Sequence, residues 1–163
     1  MINNTAHGGD LDIAIEKYGG SIEDWLDLST GINRISYPWK QKNNISLRDL
    51  PRKKVIENLA AVASKTFKMA DDSITLPVAG AQSAIQLLPL LFKQKNLVKI
   101  LSPTYSEYEK CFKNFGFNVE KSTTLTDLKT SELAIIVNPN NPTGKFYSDQ
   151  ELEKLSQNVD FLI

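Results

Sequence analysis

Short apolar runs alternate with amphipathic helical stretches along most of this chain, and the connections between them are short. The runs that indicate strands cover residues 74–78, 97–101, 117–120, 133–137 and 160–163. Such alternation predicts an α/β fold with a mainly parallel sheet and right-handed crossovers. Because ligands of these sheets bind beyond the carboxyl ends of the strands, the residues that follow each run are the first candidates for a site.

Apolar residues at helical spacing predict the elements between these strands. Helices are expected at 55–67, 81–92 and 149–157, with Pro89 bending the second or marking its late portion. A further helical stripe, which ends at Gly116, consists of Tyr105, Tyr108, Phe112 and Phe115.

Residues 1–45 read differently, as an irregular arm with one short helix. Apolar residues at helical spacing span 11–18, and Gly19-Gly20 ends that pattern. Gly31, Pro38 and the polar run 40–44 indicate loop. The chain is therefore divided into an arm, 1–45, and a regular part, 46–163.

Composition excludes several classes of function. With 19 basic and 19 acidic residues the net charge is zero, so no nucleic-acid or membrane partner is expected. One cysteine and one histidine leave no disulfide framework and no metal site, and Cys111 is expected in the core. The amino-terminal residues do not resemble a signal peptide, and the longest apolar run, 87–92, is too short to span a bilayer. A cytoplasmic location is expected.

The connection after residues 133–137 carries the most distinctive motif, Asn138-Pro139-Asn140-Asn141-Pro142-Thr143-Gly144. Its two prolines fix φ angles and Gly144 permits a tight exit, so the turn is rigid. A rigid turn at the end of a strand can present a side-chain amide to a ligand. Asn, Pro and Gly are also ordinary turn formers, and composition alone leaves both interpretations open.

Two other connections carry candidate groups. Residues 79–83 join a strand to a helix through small residues, and the free amides at a helix N-terminus favour a phosphate; a simple turn is the plainer interpretation. In Ser102-Pro103-Thr104-Tyr105, the tyrosine either opens the apolar stripe of the next helix or offers its flat face to a ligand.

The string Pro139-Asn140-Asn141-Pro142-Thr143-Gly144 resembles a hallmark of the class I/II aminotransferases and their decarboxylase relatives, which are fold-type-I pyridoxal-phosphate enzymes. The resemblance implies a three-layer α/β large domain that binds pyridoxal 5'-phosphate, with residues 46–163 as its first part and 1–45 as an arm or small-domain segment. It also implies three cofactor contacts: from Asn141 to the phenolic oxygen, from the backbone of Ala81 and Gln82 to the phosphate, and from Tyr105 by stacking on the pyridine ring.

The arm narrows the resemblance to the threonine-phosphate decarboxylases of cobalamin biosynthesis. It carries His7-Gly8-Gly9, the stretch 25–33 and Tyr37-Pro38, whereas histidinol-phosphate aminotransferases lack the His-Gly-Gly opening. The resemblance implies decarboxylation of O-phospho-L-threonine to 1-aminopropan-2-yl phosphate, with His7 and Asn33 binding this small phosphorylated substrate, and a homodimer for the complete enzyme. A histidinol-phosphate-type aminotransferase is the alternative. Within the same stretch, Asp27, Ser29 and Thr30 suit turn and capping roles as well as they suit substrate binding.

The sequence also departs from this family. Leu50-Pro51 stands where the histidinol-phosphate branch has an aromatic residue that reaches across a dimer, so that contact is not expected. No lysine matches the family's Schiff-base motif, Lys145 and Lys154 included. The expectation is the N-terminal portion of such an enzyme, with no catalytic residue of its own and inactive alone. A non-catalytic fragment, or one half of a split protein, is the other possibility.

Overall fold

The computed structural model describes residues 8–35, 49–92 and 97–163. His7, Tyr37-Pro38, the polar run 40–44 and the predicted boundary at 45/46 lie outside the described residues. The chain forms two compact units, Met1–Leu50 and Pro51–Ile163.

A four-stranded parallel sheet organises the second unit. Its spatial order is β2-β1-β3-β4, with β1 at Leu97–Leu101, β2 at Asn118–Ser122, β3 at Leu133–Ile135 and β4 at Phe161–Leu162. Val98 pairs with residues of both neighbouring strands, so the carboxyl ends of β1 and β3 lie side by side. The predicted α/β fold with a parallel sheet is confirmed.

Six α-helices are present in the part of the chain that the structure describes. They are α1 Leu11–Tyr18, α2 Lys53–Thr66, α3 Ala81–Leu87, α4 Glu107–Asn114, α5 Leu125–Leu128 and α6 Asp149–Ser156. Five match predicted helices within a few residues, and the single turn of α5 was not predicted. After α3 the chain tightens into a 3₁₀ segment, Leu88–Leu91, because Pro89 cannot donate the hydrogen bond that an α-helix needs. No helix among these residues is long and apolar enough to cross a bilayer.

The core lies on both faces of the sheet. On one face Val98 and Ile100 pack with Phe112 of α4, and on the other Leu101 and Ala134 pack with side chains of α5 and α6. Alternate strand residues point to opposite faces, and a central parallel strand buries both of them. That explains why apolar residues occupy four of the five positions of β1, the exception being Lys99.

The strand predicted over residues 74–78 does not form. Within the described residues this segment pairs with no strand, and Ile74 is 93% and Leu76 73% exposed. It is held instead by a side-chain hydrogen bond of 2.5 Å between Thr75 and Ser64 of α2. The prediction was wrong because an apolar, β-branched run indicates a strand only where a neighbouring strand supplies the hydrogen bonds.

In the first unit, Gly8 lies directly against Ser29. A Cβ at position 8 would stand 2.1 Å from the Ser29 carbonyl oxygen. The next amide, that of Gly9, donates to Ser29 Oγ at 2.7 Å. The glycine pair therefore has a structural purpose within the arm itself, because no larger residue fits at position 8.

We expect Gly8→Ala to loosen the arm by about 1–3 kcal/mol, the usual effect of forcing an extra methyl group into a filled space. Hydrogen exchange of the amides around residues 9–13 and 29 measures this local opening. Gly31→Ala is the matched control, since a Cβ there meets nothing within 4 Å. Equal protection of both variants would contradict this account of Gly8.

Candidate functional site

Hydrogen bonds bring together the three segments that the sequence singled out. The hydroxyl of Tyr105 donates to Gln82 Oε1 at 3.2 Å, which joins the start of α3 to the connection after β1. Asn140 Nδ2 donates to the Pro103 carbonyl at 2.9 Å, which joins that connection to the one after β3. Candidate groups from distant parts of the sequence thus meet at the carboxyl ends of the central strands.

The turn after β3 begins with an asparagine whose side chain is fully used by the fold. Asn138 Nδ2 donates to the Tyr147 carbonyl at 2.9 Å, and the Tyr147 amide donates back to Asn138 Oδ1 at 2.9 Å. The pair closes the turn as a strand pairing would. Tyr147 itself is buried, 5% exposed, so Asn138 anchors the turn to the core.

Asn140 ties the turn to its neighbour. Its Oδ1 accepts the Thr104 hydroxyl at 2.7 Å, and its Nδ2 also lies 2.7 Å from Thr143 Oγ1. Neither Asn140 nor Thr104 was among the predicted site residues. Both hold the connection after β1 against the turn after β3.

Asn141 differs from the other two asparagines. Only its backbone carbonyl is engaged, by the Thr104 hydroxyl at 3.3 Å. Its side chain is exposed and makes no hydrogen bond within the described residues. Because its neighbours are fixed, Asn141 presents a free amide from a rigid turn.

The start of α3 offers backbone donors. Gly80 is the N-cap residue of this helix, with φ of 86°, and no side-chain hydrogen bond caps the helix. The amides of Ala81 and Gln82 have no intrahelical acceptor at this end. A Cβ at Gly80 would meet nothing within 4 Å, so no described atom crowds the Gly80 Cα at the start of this helix.

Tyr105 lies in the connection between β1 and α4, two residues before the helix begins, and is half-buried. Its ring meets that of Tyr108 edge-on, with centroids 6.5 Å apart and an interplanar angle of 84°. Burial, followed by the neighbouring Tyr105, raises the pKa of Tyr108. The Tyr105 side chain is thus held by its hydroxyl, which bonds Gln82, and by its ring, which contacts Tyr108. Tyr105 is not part of the main core cluster.

A buried carboxylate that the sequence did not predict, that of Glu107, contacts Gln82. Glu107 is 8% exposed and accepts from Gln82 Nε2 at 2.8 Å. One signal could have identified it: Glu107 lies one helical turn before Cys111, on the apolar face of the predicted helix. Cys111 is buried, as expected, and burial, then Glu107, raises its thiol pKa.

Among the described residues, two cavities lie at the connection after β1. One, of about 180 Å³, is lined by Asn140 and Lys145 among others. The second, of about 330 Å³, lies beside Tyr105 and reaches Lys121. Neither of these two cavities is lined by Gln82 or Asn141.

The arm residues belong to the first unit. Asn33 Oδ1 accepts the Ile35 amide at 2.9 Å, and its Nδ2 makes no hydrogen bond among the described residues. Asp27 accepts from the hydroxyl and the amide of Ser29 at 2.6 and 2.8 Å, which is the predicted turn role. The Ser29 hydroxyl, then its amide, holds the pKa of Asp27 below its usual value.

Residues 40–161 match the family described as aminotransferase class I and II. The chain is 39% identical over 148 residues to a threonine-phosphate decarboxylase from Sinorhizobium sp, covering 90% of this chain and 44% of the relative. A histidinol-phosphate aminotransferase from Bacteroides thetaiotaomicron is 31% identical over 64% of this chain and 34% of the relative. The chain thus spans less than half the length of the curated relatives it matches.

Among solved structures, the fold is similar to the L-threonine-O-3-phosphate decarboxylase from Porphyromonas gingivalis. The TM-score is 0.54 at 20% identity, over 64% of this chain and 36% of that one. The likeness confirms the fold class that the alternating pattern predicted.

We expect alanine substitutions at Asn138 and Asn141 to have different effects on the free energy of unfolding. Asn138→Ala leaves both backbone groups of Tyr147 without partners, so the free energy of unfolding should fall by about 1–3 kcal/mol. Asn141→Ala removes no described side-chain contact and should stay within about 0.5 kcal/mol. Urea unfolding of the two variants measures the difference, and a larger loss for Asn141→Ala would contradict the assignment.

Proposed function

The chain belongs to the class I and II aminotransferase family, and from this premise we propose that it forms the N-terminal portion of an enzyme that decarboxylates O-phospho-L-threonine. The product is 1-aminopropan-2-yl phosphate, as cobalamin biosynthesis requires. The similarity to a threonine-phosphate decarboxylase over 90% of this chain carries the choice of reaction. The matching aminotransferase is less similar and covers a smaller share.

Pyridoxal phosphate is the cofactor that the family implies, and the described groups fit its parts. A phosphate needs several donors, which the open amides of Ala81 and Gln82 supply. A planar ring needs a flat partner held in place, and Tyr105 is such a partner. A phenolic oxygen needs one fixed donor, and Asn141 has the only uncommitted side-chain amide among the turn's described asparagines.

In the reaction, the bond between Cα and the carboxylate breaks, CO₂ leaves, and a proton takes its place. The bound cofactor supplies an electron sink for the pair left on Cα. In our proposal this chain orients and binds: Asn141 Nδ2 donates to the phenolic oxygen, and the amides of Ala81 and Gln82 fix the phosphate. These groups need little reorganisation, because the fold already holds the turn and the helix start.

Substrate binding is assigned to the arm. No described residue bonds Asn33 Nδ2, and His7 carries an imidazole; both groups suit the phosphate and carboxylate of a phosphorylated amino acid. We place the complete enzyme in the cytoplasm as a homodimer. A histidinol-phosphate-type aminotransferase is the second candidate, and the aminotransferase relative supports it.

The two functions differ in their products. We expect the complete protein, given pyridoxal phosphate and O-phospho-L-threonine, to release CO₂ and 1-aminopropan-2-yl phosphate without any amino acceptor. Mass spectrometry of the products, with and without 2-oxoglutarate, makes the distinction. Formation of a keto acid that depends on the acceptor would reject decarboxylation and favour the aminotransferase.

Asn141→Ala should weaken cofactor binding by roughly tenfold to a hundredfold, since a hydrogen bond to a charged oxygen contributes about 1.5–3 kcal/mol. Visible absorbance during titration of the complete protein with pyridoxal phosphate measures the affinity. Asn158→Ala is the matched control, because its amide bonds only the Lys154 carbonyl at the end of α6. If both variants bind the cofactor equally well, Asn141 does not have this role.

Asn33 variants should affect the substrate and not the cofactor. Asn33→Ala and Asn33→Asp both remove the Nδ2 donor, but the aspartate retains an oxygen for the Ile35 amide. We expect both to lower kcat/KM about tenfold to a hundredfold with unchanged cofactor affinity. The aspartate should be worse, since its charge repels the phosphate. If Asn33→Asp retains full activity, Asn33 serves only the turn.

A further inference from the structure

Glu107 is a buried carboxylate with both oxygens engaged. Its side chain, 11% exposed, accepts from Lys110 Nζ at 3.3 Å through Oε1. Its Oε2 accepts from Gln82 Nε2 at 2.8 Å. Burying a charge costs free energy unless partners of this kind satisfy it. A buried carboxylate with two such partners is therefore a candidate for a specific role.

The charge fixes the direction of a hydrogen-bond relay. A carboxylate only accepts, so the amide of Gln82 must turn its NH₂ group towards Glu107. Its Oε1 then faces the hydroxyl of Tyr105 at 3.2 Å and accepts that proton. One of the two possible orientations of the Gln82 amide is thereby selected.

The relay ends on the two groups that are assigned to the cofactor. Gln82 offers its backbone amide at the start of α3, and Tyr105 offers its ring. We propose that Glu107 is a positioning residue: through the Gln82 side chain it sets the orientation of the Tyr105 ring and holds the start of α3 against it. This inference rests on the proposed function, since these groups matter only if they bind pyridoxal phosphate.

The first test reads the ring without the cofactor. The complete protein is labelled with fluorotyrosine, and the ¹⁹F line of residue 105 is identified by its loss in Tyr105→Phe. Glu107→Gln keeps the volume but both donates and accepts, so Gln82 loses its single orientation. We expect the Tyr105 line to move or broaden while the Tyr147 line holds.

Two further variants sharpen this measurement. Glu109→Gln is the control, because Glu109 is on the same helix but pairs with Lys113 and Lys121, each at 2.8 Å; its Tyr105 line should not move. The double variant Gln82→Glu, Glu107→Gln returns an acceptor to the Tyr105 hydroxyl, so the line should return towards its original position. Should Glu107→Gln fail to fold, Gln82→Leu breaks the relay from its other end.

The second test reads the cofactor. We expect Glu107→Gln to weaken pyridoxal-phosphate binding by about two- to tenfold, as the loss of one neutral hydrogen bond does. In a Tyr105→Phe background the same substitution should change affinity by less than about twofold, because its route is gone. An unmoved Tyr105 line, or an undiminished loss in that background, overturns the positioning role alone. If the unaltered protein binds no pyridoxal phosphate, the proposed function itself is overturned, and with it this inference.

Discussion

The candidate site depends on the side-chain hydrogen bonds of Asn140, which tie the connection after β1 to the turn after β3. An asparagine carries two donor hydrogens and an acceptor oxygen. Here they reach the Pro103 carbonyl, the Thr104 hydroxyl and the Thr143 hydroxyl. Parallel pairing sets the strands side by side, but it leaves the loops beyond them free. Asn140 extends the order of the sheet into those loops.

Three asparagines of similar appearance therefore divide the work of one turn. Asn138 closes it, Asn140 joins it to the next connection, and Asn141 is left with an uncommitted side chain. A free amide on a mobile loop would lose entropy whenever it bound a ligand. On this turn, folding has already ordered the backbone around Asn141, so binding a ligand there loses less entropy. The fixed neighbours Asn138 and Asn140 therefore contribute to ligand binding as much as the free amide does.

The pattern of apolar residues was enough to predict the sheet but not the site. Residues 97–101 were recognised because a central parallel strand buries both faces, whereas 74–78 are also mainly apolar but pair with no strand in the described part of the chain. Asn141 and Tyr105 were singled out by a family motif, since composition left each open to a plainer role. Glu107 was missed because its meaning depends on Gln82, 25 positions away, and periodicity within one helix does not report such a partner.

The two units are stabilised by different interactions, and this affects which substitutions each of them tolerates. In the described part of the arm no residue is buried, and its hydrogen bonds are largely local, such as those of Asp27 with Ser29 and of Asn33 with Ile35. The sheet unit is held by a core and by bonds between distant segments. A local turn tolerates substitution without disturbing its surroundings, whereas a change at Asn140 affects both the connection after β1 and the turn after β3. If substrate groups sit on the arm and cofactor groups on the sheet, substrate preference can therefore vary while the cofactor site is preserved.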